Sequence, residues 1–205
     1  MSDESVRRTP QGERGRRRVE LILSAAEEEL AAAGYDNFTT NGVAARAGIS
    51  IGSIYQFFPH KEALVQALAE RVQSAMRELY DRLFSELTLD LSLPQMVDFL
   101  IDPLVAYTAA NPAFEILFCS VITPHSIGSA VDTVRAEIVE RVRQLFSDKC
   151  PDLPSGKRDL YVTVSVQAVE ALLPLVSRGD DAHRAEALAE IKRMLIAYLG
   201  PVLGS

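Results

Sequence analysis

Only one stretch of this chain, Tyr161–Gln167, alternates as a half-buried β-strand does, and no second stretch exists to pair with it. A lone strand leaves its backbone donors and acceptors unmet. The same region also keeps a helical spacing. Val162, Val166, Val169, Leu173 and Val176 fall on one stripe, and Leu160, Val164, Ala168 and Leu172 on a second. A helix apolar on two faces is one covered on two sides. The expected fold class is therefore all-α.

Punctuation divides the chain into about nine helices. Val19, Ile22, Leu23, Ala26 and Leu30 recur at three- and four-residue steps until Gly34 supplies a stop. Thr39 is a good N-cap for a second helix, with Phe38 and Val43 placed as a staple. Ala47-Gly48-Ile49 interrupts that helix, Ser50 caps a third, and Pro59 ends it. A long amphipathic stretch follows, carrying Leu64, Leu68, Val72, Met76, Leu79 and Leu83. Ser92-Leu93-Pro94, Asn111-Pro112, Ser155-Gly156 and Asp180-Asp181 open later helices, and Pro124, Pro151 and Gly179 close others.

Composition narrows the class. Charged residues make up 24% of the 205 and apolar residues 48%, enough for a sizeable core. No run of about 18 apolar residues suggests a membrane span, and the charged start, Met1–Arg18, lacks the apolar centre of a secretory signal. Cys119 and Cys150 form neither a disulfide framework nor a metal-ligand spacing, which fits a reducing cytoplasm. No cofactor, metal or catalytic motif is expected. The net charge of −7 is unevenly spread. Residues 1–18 hold six arginines against three acids, and residues 37–61 hold no acid at all. Local charge, rather than the total, sets the footprint on a phosphate backbone.

Two short helices joined through Ala47-Gly48-Ile49 make a helix-turn-helix, with glycine at the tight turn and small residues where the helices cross. The longer string from Thr39 to Leu64 (TTNGVAARAGISIGSIYQFFPHKEAL) resembles the N-terminal domain of the TetR family of transcriptional regulators. Residues 19–65 carry that resemblance; residues 66–205 match by helix number and length only. Four positions depart from the family pattern. Gly42 stands where an acid often completes a capping box, Ala45 and Ile51 replace charged or polar residues, and His60 replaces a Ser or Asn cap.

The matched positions suit their implied role. Gly52 and Ser53 keep the recognition helix slim enough for a major groove about 12 Å wide. Thr39, Thr40, Ser53 and Tyr55 offer hydroxyls to phosphates, Lys61 and Arg46 offer charge, and Ser50 caps the helix. Asn41, Ile51 and Gln56 are the candidates for reading bases. The resemblance implies a ligand-responsive regulator, usually a repressor, that binds a near-palindromic double-stranded DNA operator as a homodimer. The expected organisation is a flexible Arg-rich arm over 1–18, the DNA-binding domain over 19–62, and a larger helical ligand-binding and dimerisation domain over 63–205.

Residues 116–131 carry no acid, Lys or Arg. Phe114, Phe118, Cys119, Ile122 and His125 are candidate walls for a hydrophobic small-molecule effector, with Tyr107, Gln167 and Glu170 as polar anchors. The last two helices carry apolar stripes that suit a twofold four-helix bundle: Val162, Val166, Val169 and Leu173 on one, Leu188, Ile191, Leu195 and Leu199 on the other. Two further classes stay open. One is a helical binding or scaffold protein without operator binding. The other is an enzyme for a hydrophobic substrate with Cys119 as nucleophile and His125 as base, for which no orienting carboxylate is evident.

Overall fold

Every regular element is helical in the computed structural model, which describes residues 12–119, 128–177 and 179–204. Among these residues nine α-helices form: α1 (Glu13–Asn37), α2 (Thr40–Ala47), α3 (Ile51–Tyr55), α4 (Lys61–Glu86), α5 (Leu93–Ala110), α6 (Pro112–Phe114), α7 (Gly128–Lys149), α8 (Ser155–Val176) and α9 (Asp181–Leu203). A π-helical turn, Glu115–Cys119, follows α6 directly. The strand-like stretch Tyr161–Gln167 lies wholly within α8.

Capping follows the sequence signals. Asp180 accepts from the His183 amide at the start of α9, and Gln95 Oε1 accepts from both the amide and the hydroxyl of Ser92 at the start of α5. Two features differ from expectation. Helix α1 begins at Glu13, so Arg14, Arg16, Arg17 and Arg18 stand on its first turns rather than on an arm. Pro103, Pro174 and Pro201 lie inside helices, each removing one backbone donor, where proline was expected only at helix starts and stops.

The chain falls into two compact units. The first comprises the described parts of Met1–Ser74 and Pro112–Val131. Its core gathers Ile22, Ala26 and Leu30 of α1, Phe38, Val43, Ile54 and Phe58 of the helix-turn-helix region, and Leu64, Val65 and Leu68 of α4. Helix α2 packs on α1, and so do α6 and the π-turn, which bury Ala113, Phe114 and Leu117. Burying aliphatic and aromatic side chains of this size stabilises by about 1.5–3 kcal/mol each relative to exposure.

The second unit comprises Ala75–Asn111 and the described part of Asp132–Ser205. Helix α9 packs on α5 and α8. Lys192 of α9 is clamped by Asp98 at 2.8 Å and Asp102 at 2.5 Å, one turn apart on α5. Helix α7 is held by charge. Its Glu137 takes Arg77 of α4 through both carboxylate oxygens, which raises the Arg77 guanidinium above its ordinary pKa, and its Arg141 reaches Asp81. Lys149 donates to the Leu89 carbonyl just past α4. All three links join residues 60 apart, so α4 and α7 run parallel. On its other side α7 runs antiparallel to α8, through Arg135–Glu170, Arg143–Asp159 and the stacked rings of Phe146 and Tyr161.

The expected dimer stripe is corrected by burial. Val162, Val166, Leu173, Ile191, Leu195 and Leu199 lie in this chain's own core, while Val169 and Leu188 are half-buried. Helices α5, α8 and α9 consume those stripes in packing on one another. On these two helices the large apolar residues left facing outwards are Leu160, 62% exposed, and Val164, 37%, from the second stripe of α8, extended by Leu175, and Met194 on α9. Helix α8 is also long and apolar enough to cross a membrane by length and composition, contrary to the expectation from sequence. One of its faces is spent on the protein core, and its Glu170 pairs with Arg135.

Candidate nucleic-acid interface

Three capped helix starts or ends shape the face that α2 and α3 present. Thr39 Oγ1 accepts from the Gly42 amide at 3.0 Å and starts α2. Gly48 ends it in the left-handed conformation (φ 63°), which an L side chain adopts only at a cost. The Ile49 amide then reaches back to the Ala44 carbonyl and the Gly48 amide to Ala45, the paired bonds of a Schellman stop. Two residues later Ser50 Oγ accepts from the Ser53 amide at 3.2 Å and also meets the Ser53 hydroxyl at 2.9 Å. The turn is thereby fixed at both ends, and α3 leaves it at a set angle.

Outward side chains follow from that frame. Ile54 and Phe58 anchor the region in the core, so Tyr55 and Gln56 point out; Tyr55 is 42% exposed. The Tyr55 hydroxyl stands 3.3 Å from Thr40 Oγ1, so the first residue of α2 and the last of α3 present two hydroxyls side by side. Asn41 and Ser50 are exposed, and Ile51 and Ser53 half-buried. Gly52 is exposed, and a Cβ built there would meet only Ser50 Oγ, at 3.9 Å. Nothing among the described residues requires that position to be bare.

Two expected charges are otherwise engaged. Lys61 donates to the Tyr35 carbonyl at 3.1 Å and sits over the Tyr35 ring, 4.8 Å from its centroid. Arg46 Nε donates to Glu29 of α1 at 2.6 Å. Glu29 is a residue that sequence reasoning missed. Its carboxylate lies against Gly42 so closely that a Cβ there would fall on it. The acid missing from the third position of α2 is therefore supplied from α1, near the positive end of the α2 dipole. The gap at Gly42 was the only signal available. His60, which replaces the usual cap, also serves: its Nδ1 accepts from the Ala63 amide at 3.1 Å.

We expect Gly42→Ala to change stability by less than about 1 kcal/mol, because the new Cβ meets only the end of the flexible Glu29 side chain, which can swing aside, and alanine favours the helix. Chemical denaturation of Gly42→Ala alone and combined with Glu29→Ala checks this. A loss above about 2 kcal/mol that Glu29→Ala relieves would show instead that the carboxylate is rigidly held against α2.

Comparison with known proteins agrees with this geometry. A family profile described as bacterial regulatory proteins, tetR family, matches residues 22–68, spanning the capped helices just described. A second, described as tetracyclin repressor-like, C-terminal domain, matches residues 92–199, more than half of the chain. The chain belongs to the TetR family. It is thus a regulator with a helix-turn-helix DNA-binding domain. A TetR-family transcriptional regulator from Streptomyces coelicolor is 27% identical, with 91% of this chain and 99% of that one covered and a TM-score of 0.59. A TetR regulator from Haloarcula marismortui shares the fold at 13% identity, with 92% and 99% covered and a TM-score of 0.71. FadR from Bacillus subtilis, solved in complex with stearoyl-CoA, shares it at 14% identity, with 87% and 98% covered and a TM-score of 0.64. The nucleoid occlusion factor SlmA of Vibrio vulnificus is 24% identical over 130 residues, a match spanning 63% of this chain and 61% of that protein. The three solved structures are named as transcription regulators, and SlmA as a nucleoid occlusion factor.

The described effector candidates are split between the two units of this TetR chain. Phe114 is buried in the first unit, where α6 and the π-turn pack on α1, whereas Tyr107, Gln167 and Glu170 belong to the second. Gln167 is exposed, and Glu170 is paired within the chain to Arg135 at 2.9 Å. Phe118 and Cys119 stand in the π-turn with side chains outside the description; Ile122 and His125 lie outside the described residues altogether.

Proposed function

We propose that this protein is a ligand-responsive repressor that binds a near-palindromic operator as a homodimer and releases it when a hydrophobic small molecule occupies the C-terminal domain. The observation that carries the proposal is the bare, exposed Gly52 at the start of an α3 capped by Ser50, with no crowding among the described residues to explain it. A partner's close approach explains it, and the major groove is the partner a recognition helix of this width admits. Thr39, Thr40, Ser53 and the Tyr55 hydroxyl would then hold phosphates and fix register. Asn41, Ile51 and Gln56 would read base edges. Arg46 and Lys61 act from within the domain, as braces, unless DNA draws them off Glu29 and Tyr35.

The outward stripe Leu160, Val164 and Leu175, with Met194, supplies the surface for a twofold mate. Two recognition helices then meet successive major grooves about 34–36 Å apart. The π-turn on α1 supports the sensing half: π-helical turns recur at functional sites, and this one joins residues of the effector-binding candidate segment to the DNA-binding unit. The stearoyl-CoA complex of the B. subtilis FadR supports an apolar effector housed by this fold. Such a regulator works in the compartment that holds the chromosome.

The test is a mobility-shift titration against fragments of the host chromosome, repeated with long-chain acyl-CoA as the first effector probe. Binding that weakens steeply with salt, and a further 5- to 150-fold weakening by a bound effector, is expected. Failure to shift any fragment at low salt would overturn the operator half of the proposal.

A further inference from the structure

The first turns of α1 concentrate positive charge in a way that the fold itself does not use. Arg14, Arg16, Arg17 and Arg18 are all exposed. Arg17 pairs only with its neighbour Glu13, both about three-quarters exposed, and Arg14, Arg16 and Arg18 make no ion pair among the described residues. Cations at a helix N-terminus oppose the macrodipole. The start is otherwise poorly secured, since Gly12 at the N-cap makes no side-chain bond. Apart from the weak Arg17–Glu13 pair, the fold draws no ion pair from these arginines among the described residues.

Their position gives them a use. Glu29 marks the side of α1 that carries α2, because its carboxylate holds Arg46 and covers Gly42. Arg18 lies eleven residues earlier, close to three turns of 3.6 residues, and so on the same side; Arg14 is one turn further on, turned by about 60°. The two stand about 16 and 22 Å along the axis from Glu29, which is the reach of several phosphates beyond the helix-turn-helix.

We infer that Arg14 and Arg18 form a second, sequence-independent contact with the DNA backbone flanking the bases that α3 reads. This rests on the operator-binding proposal above and extends its footprint outwards. The ridge sets affinity and salt dependence, and α3 sets sequence choice. Anionic phosphate also relieves the repulsion at the α1 terminus, so binding orders the start of the helix.

The test compares wild type with Arg14→Gln/Arg18→Gln on one selected operator and on random DNA between 50 and 200 mM salt. The slope of log K against log[salt] should flatten by about 0.9 for each phosphate no longer neutralised, hence about 3.6 for two arginines in each of two protomers. Affinity should fall alike on operator and random DNA, leaving their ratio unchanged, while the melting temperature holds or rises. Arg14→Lys/Arg18→Lys should keep the wild-type slope. An unchanged slope in the Gln variant, with wild-type binding intact, overturns this inference alone. A wild type that binds no DNA overturns the operator proposal and this one with it.

Discussion

Tyr55→Ala is expected to keep its fold and lose operator affinity by about 100- to 10,000-fold. The ring is 42% exposed and the neighbouring anchors are Ile54 and Phe58, so truncation removes little core. What it removes is a hydroxyl aimed outwards beside Thr40. A hydrogen bond to a charged group contributes about 1.5–3 kcal/mol, and a dimer loses two, giving about 3–6 kcal/mol. Each 1.4 kcal/mol is tenfold in binding. A mobility-shift titration with circular dichroism separates the two readouts. Tyr55→Phe should account for most of the loss. Combined with Thr40→Val it should cost less than the sum, since both hydroxyls would meet one phosphate. Undiminished binding by Tyr55→Ala would show that the hydroxyl pair is not at the interface.

Leu160→Glu/Val164→Glu is expected to give a folded monomer that no longer holds the full operator. Both residues face outwards, so two carboxylates cost the isolated chain little. In a twofold interface they would be buried facing their own copies, where unpaired charge costs several kcal/mol. Losing the link between half-sites forfeits the advantage of effective concentration, about 100- to 10,000-fold. Sedimentation velocity and the same titration check both parts. Val162→Glu, fully buried on the other face of α8, should instead unfold the chain. If the Leu160 variant stays dimeric, the second copy sits elsewhere.

The contrast between Val162 and Leu160 also shows what the sequence could disclose. Spacing alone revealed that α8 is apolar on two faces. It could not say which face the chain itself covers, because that depends on where α5 and α9 come to lie, and most of the residues expected to face a partner lie in the chain's own core. The helix-turn-helix was legible almost residue by residue. Thr39, Gly48 and Ser50 act through bonds to amides and carbonyls within a few positions, and local geometry of that kind is written in local sequence.

Long-range pairings were not legible. Glu29 in the run Glu27-Glu28-Glu29 meets Gly42 and Arg46 only because α1 and α2 cross there. Lys61 reaches Tyr35 across 26 residues and was expected on DNA instead. An apolar stretch reads alike whether it lines a pocket or fills a core, and Phe114 does the second. The start of α1 was missed because arginine-rich, glycine-containing sequence is common both on tails and on helices.

Selection of bound sequences from random DNA, at a salt concentration where wild type discriminates, tests the central claim most directly. Two inverted half-sites are expected, with centres about 10–10.5 base pairs or a multiple apart. Enrichment of a single unrepeated site, or of no sequence at all, would contradict it.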